Sequence, residues 1–295
     1  MSNTISSVSV ADHSSAAPDV TEPDGTPTWI TRASNLVVAI SRVRAGSLLE
    51  TATCPDEHFV LLPDAPARVQ AGAEAREAAA DSLLIVPPGP SRIEALAEGW
   101  VLRCYSARHA ELLARAGNAA DFVPPRPGVA PLVDWPAPPG GFRLRVYPLG
   151  EHLKAGDKTR VFRSANLMIN ILRERTEPRD PRAMSPHAHA DFEQASVTLS
   201  GVHIHHLRWP WTPDMTSWRD DQALQVGSPS VTVIPPQVVH TTRNIGAGPA
   251  LLIDLFAPPR ADFSLRPGMV RNADEYPLPE SLQSSTPAAS AGATR

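Results

Sequence analysis

Imidazoles and a carboxylate crowd one stretch of this chain, SPHAHADFEQASVTLSG, residues 185–201. Side chains along a strand repeat every two residues, so an extended segment puts His187 and His189 on one face. Glu193 lies an even number of residues from both and keeps to that face if the strand is unbroken. Another histidine, His240, closes the run GSPSVTVIPPQVVHTTRN, residues 227–244, where a strand leads through Pro235–Pro236 into a turn. Three imidazoles and one carboxylate form a mixed nitrogen and oxygen donor set that suits Fe(II), Mn(II), Ni(II), Cu(II) or Zn(II). Four protein ligands on an octahedral ion leave two adjacent positions for water, substrate or O2.

The order HxH, three residues, E, then G, followed by G…P…H…N, resembles the two signature motifs of the cupin superfamily. The resemblance implies metal ligands at His187, His189, Glu193 and His240, motif glycines at Gly201 and Gly227, and a motif asparagine at Asn244. Two departures stand out. The interval from Glu193 to Gly201 is about one residue longer than the family usually shows, and Gln237 follows Pro236 where a turn glycine is commoner. The resemblance also implies a small jelly-roll-like barrel around the metal, and Fe(II) is the favoured ion. With one carboxylate ligand the Fe(II) centre has net charge +1 and accepts an anionic chelating substrate beside O2. A dioxygenase-type oxidoreductase is therefore the leading expectation. A redox-neutral isomerase, lyase or decarboxylase is the second, and a non-catalytic binding cupin the third.

Further residues could serve such a site. In GVHIHHLRWPW, alternation puts His203 and His205 on one face, and His205 is the candidate base for moving a proton near the metal. Asn166 and Asn170 share parity on a strand-like segment and could reach substrate. Trp209 and Trp211, with Trp218, could form an apolar lid; they too are taken as candidate substrate contacts.

The elements that must position these residues read as short strands separated by Pro, Gly and Asp. NLVVAI, HFVLL, SLLIV and WVLRCYS stand in one block, and FRLRVYPL, QASVTLSG, VHIHHLRW, SVTVIPP and LLIDLFAPP in another. This predicts an all-β protein of two tandem barrels with few short helices. Aligning Glu57 with Glu193 sets the two blocks against each other, with Thr51 and Thr53 in place of the histidines and Arg92 in place of His240. A duplicated, degenerate first cupin without a metal is expected over residues 29–120, and the metal-binding copy over 142–275. The proline-rich stretch 121–141 between them reads as a linker, and 1–28 and 276–295 as disordered tails.

Composition narrows the function. The 295 residues are 42% hydrophobic and 20% charged, with a formal net charge of −4. No basic run favours nucleic acid, and no apolar run approaches the roughly 20 residues that span a bilayer. Neither cysteine, Cys54 or Cys104, sits in a CxxC pair, and both are expected as reduced, buried thiols. The expected setting is a cytoplasmic protein acting on a small molecule, with neither nucleic acid nor membrane as partner, and edge strands compatible with a homodimer.

Overall fold

The computed structural model describes residues 5–283. It is all-β, with every pair of neighbouring strands antiparallel. A seven-stranded sheet and a four-stranded sheet enclose the first half, and a six-stranded and a three-stranded sheet enclose the second.

The two large sheets meet face to face. Alternation along His58–Leu62 sends Phe59 and Leu61 into the core between the halves, while Val60 and Leu62 fill the first barrel. In the second half Ala195, Val197, Ile253 and Leu255 join that shared core. Strands buried on both faces read as continuous apolar runs, as HFVLL and SLLIV do.

Each half lends a strand to the other. Ser9–Asp12 pairs with Ser230–Ile234 at the edge of the second half's large sheet. Arg145–Pro148, from the second block of sequence, pairs with Ser82–Val86 in the first. The stretch 1–28 therefore differs from the expected tail. It also contains Val20–Thr21 and the start of Pro27–Arg32, and Ser9 and His13 are buried. Its Ser, Ala and Pro content resembles that of disordered chains, but an open sheet edge supplies partners for backbone groups whatever the side chains. At the other end Tyr276 is fully buried and Glu280–Gln283 forms a short helix; residues 284–295 of the expected C-terminal tail lie outside the described residues.

The 121–141 stretch contains no strand and touches both halves, with Asn35 and Arg108 of the first bonded to Ala130 and Asp134. Phe122 and Trp135 are buried along it, and Ala130 N–H donates to the Asp191 carbonyl at 2.7 Å.

A pair of glutamates ties the halves together. Glu57 accepts from Tyr276 Oη at 2.8 Å and from the Ala165 N–H at 3.3 Å, both in the second half, with Arg145 at 3.6 Å. Glu193 reaches the opposite way: Oε2 accepts from the Ser34 N–H at 2.6 Å and Oε1 from Arg126 at 3.3 Å. Ser34 and Ala165 lie in equivalent turns, Ala33–Leu36 and Ser164–Leu167, each closed by a backbone hydrogen bond between its ends. The two-block alignment thus matches two residues that do the same work in mirrored positions. Both are buried, Glu57 at 1% and Glu193 at 5% exposed.

Candidate metal centre

Three imidazoles converge where the sequence placed them. One ligand nitrogen each from His187, His189 and His240 lies within 4.8 Å of the others, and the ring centroids are 4.5–5.0 Å apart. His187 and His240 face each other across a two-way backbone pair, with N···O distances of 3.1 and 2.8 Å. His189 is held from behind by Phe192, stacked at 4.4 Å, and its carbonyl accepts from Gln237 N–H at 2.7 Å. That contact needs Gln237 at φ +68°, the left-handed conformation that a glycine adopts without strain.

Glu193 is not the fourth donor. The chain leaves the extended conformation between His189 and Gln194, where the strand Gln194–Ser200 begins, so the parity argument fails across the break. A one-residue offset exchanges the two faces of a strand. Glu193 turns to Ser34 and Arg126, and Gln194 turns to the histidines: its Oε1 is 2.9 Å from His189 Nε2 and 3.3 Å from His240 Nε2. The sequence carried a signal for this. The over-long interval from Glu193 to Gly201 returns to the usual length when counted from Gln194. Gly201 itself, at φ +79°, has no room for a side chain: a Cβ would stand 2.8 Å from that of Ala250.

The donors are oriented from outside. The Nδ1 atoms of His187 and His240 donate to the carbonyls of Ser185 and Val238 at 3.0 and 2.9 Å, which leaves each Nε2 a free lone pair. Gln194 Nε2 donates to Ser196 Oγ and to Asp254 Oδ1, at 2.9 and 3.0 Å, so its Oε1 must face the imidazoles. Burial pushes His189 down to about 3 and His240 down to about 4, so both rings are neutral at pH 7 and able to ligate. The residues therefore fit a divalent ion, held by three imidazole nitrogens with the Gln194 amide oxygen as fourth donor. Such a set is neutral, and the centre would carry net charge +2 rather than the expected +1.

His187, Gln194 and His240 open onto a cavity of about 680 Å³. Asp254 lies on its wall, half-buried, accepting from Ser196 Oγ at 2.6 Å; burial raises its carboxyl above the usual range, against the Ser196 hydrogen bond. Asn170, paired with Asp254 across the sheet, also lines the cavity, as expected of it. Arg260 stands behind His189 over Phe263, at 3.9 Å, and is paired with Asp262 at 2.6 Å. Asn244 accepts from Arg179 N–H and donates to the Glu177 carbonyl, fixing the loop that forms the outer wall.

The other expected contacts lie elsewhere. Asn166 sits in the Ser164–Leu167 turn at the junction of the halves, because the strand Met168–Leu172 begins only after it. Trp209 is buried among Leu207, Ile234 and Val238 and donates to the Ser6 carbonyl. Trp211 is 78% exposed and stacks on Trp218 at 4.6 Å, so the two form no lid over the cavity. His205 does point inward, but it is fully buried inside the barrel, with Nδ1 2.9 Å from Thr242 Oγ1, and does not line the cavity. Desolvation pushes it down to about 3, too weak a base for the role expected of it. Asp254, Arg260, Lys158, Arg173 and Arg175, which also line the cavity, belong to no sequence motif.

No family model matches the chain, and no curated protein matches it. Solved structures do. The chain is similar to the formate complex of Lactobacillus farciminis oxalate decarboxylase, at 16% identity and TM-score 0.58, covering 87% of this chain and 88% of that one. A serine-to-alanine point mutant of the Bacillus subtilis oxalate decarboxylase gives 16% identity and TM-score 0.59, over 90% and 82% of the two chains. A structure from work on the Mn(II) centres of that enzyme gives 14% and 0.55, over 96% and 87%. At such identities the likeness establishes the fold: the cupin-like all-β architecture that the motifs implied.

Proposed function

We propose that this chain is a metal-dependent enzyme of small organic acids whose chemistry is redox-neutral, of the decarboxylase or lyase type. The observation that carries the reading is the convergence of His187, His189, His240 and Gln194 at the floor of a cavity whose wall holds Asp254. When bound, a divalent ion supplies Lewis-acid polarisation of a carbonyl or carboxylate. A neutral donor set leaves the full ionic charge to attract an anion, which favours a carboxylate substrate. Asp254, beside Gln194 on the cavity wall, is the carboxyl placed to relay a proton to that position, and burial shifts it upward. Loss of CO2 from a carboxylate leaves an electron pair on carbon, and one proton there completes the product without any oxidant. Asn170 accepts from Thr159 and hydrogen-bonds Asp254, so it positions that carboxyl on the cavity wall. The names of the structural neighbours agree with this class. In the first half Thr51 is bonded to Tyr105, and Arg92 is exposed with Glu50 at 3.9 Å.

The Fe(II) dioxygenase reading draws on the same three imidazoles and their open side, and one experiment separates the two. Purified protein is loaded with zinc or with Fe(II), and CO2 release from a panel of small carboxylates is measured under argon and in air. The expected result is turnover under argon with either ion, and one bound ion per chain that His187→Ala abolishes. Turnover that needs iron and consumes O2 would replace this reading with the oxygenase.

A further inference from the structure

The cavity is far larger than the two-carbon acid named for its structural neighbours would need. Its wall continues the strand Met168–Leu172: Arg173 N–H donates to the Lys158 carbonyl at 2.9 Å, and Arg175 pairs in both directions with Ala250, at 3.1 and 2.8 Å. Asn170 marks the level of Asp254, so the Cα atoms of Arg173 and Arg175 stand at most roughly 10 and 17 Å further along the chain, and their long side chains can reach back toward that level.

Among the described residues, the side chains of Lys158, Arg173 and Arg175 make no hydrogen bond or ion pair, and all three line the cavity. Two of the four acids on the same wall are committed. Asp157 is paired with Arg271 at 2.6 Å and Asp254 with Ser196, leaving Glu174 and Glu177 against the three cations. Guanidinium groups match carboxylate and phosphate oxygens alike.

We propose that the cavity takes an elongated organic dianion, with a carboxylate at the imidazole cluster and a second anionic group several carbons away on Arg173, Arg175 and Lys158. This rests on the metal-site reading above. It names a substrate class different from oxalate, whose two carboxylates sit on adjacent carbons.

The test is calorimetric titration of zinc-loaded protein with pentanoate, glutarate and 4-phosphonobutyrate, three chains of similar length that differ in the far end. The expected result is that at least one of the two dianions binds tenfold or more tighter than pentanoate; which one does so distinguishes a carboxylate from a phosphate at the far end. The double substitution Arg173→Gln, Arg175→Gln should abolish that preference with zinc stoichiometry unchanged. Equal binding of all three to the zinc-loaded protein, absent without zinc, would overturn the dianion proposal and leave the metal site standing. A preference that survives the double substitution would overturn it as well. Failure to bind zinc at all would remove both.

Discussion

Replacing Glu193 by Gln separates a structural latch from a metal ligand. Its carboxylate stands 3.3 Å from Arg126, and the two side chains are 4% and 5% exposed. At an effective dielectric of ~20 that separation corresponds to about 5 kcal/mol of attraction. Removing one partner of a buried pair costs about 3–5 kcal/mol, because the remaining charge is left without compensation. Gln still offers an acceptor to the Ser34 N–H, and the Arg126 guanidinium keeps its place over Phe122 at 4.1 Å. The lower end, about 3 kcal/mol, is therefore expected. For a chain of this size each kcal/mol moves Tm by about 2–3 °C, giving a fall of about 6–9 °C. Thermal unfolding followed by circular dichroism measures this, and zinc content by elemental analysis should stay at the wild-type level. An unchanged Tm together with lost zinc would refute the assignment and return Glu193 to the metal.

Asp254→Ala removes the acceptor that orients Gln194; zinc affinity should fall about 10–100-fold, as for other groups that position ligands, measured by competition with a chromophoric chelator. The metal-free protein should lose stability as pH falls from about 6.5 toward 4. His13 and His203 are held down to about 4, and His58 and His205 to about 3, all mainly by burial. In that window the unfolded imidazoles bind protons that the folded ones refuse, so the four together cost up to ~5 kcal/mol per pH unit. Urea midpoints at pH 7, 6 and 5 would show it, and a flat series would refute it. Deleting residues 1–13 bares the edge strand Ser230–Ile234; a lower Tm and concentration-dependent association in sedimentation are expected.

Much of this protein is legible along the chain because its signals are local. Short apolar runs between Pro and Gly announce strands, and HAH and PPQVVH announce the imidazoles that do meet. Parity would group Glu193 with the histidines only along an unbroken strand, and the bend before Gln194 is created by backbone conformation rather than residue type. The spacing to Gly201 recorded the offset, yet a carboxylate looked the better ligand than the amide beside it. The N-terminal strand escaped notice because its partner, Ser230–Ile234, is more than two hundred residues away, and pairing across that distance leaves little trace in composition.

The sequence alone therefore determined the all-β class and the three histidines that meet, since each depends on periodicity, turn chemistry or motif spacing within a few tens of residues. Only the tertiary structure decided which of two adjacent side chains faces the three imidazoles and which latches the halves together. It also decided that Asp254 stands beside Gln194 and that His205 lies sealed inside the barrel. Those outcomes depend on which surfaces become buried against each other when the two large sheets close, and burial is a property of the folded whole.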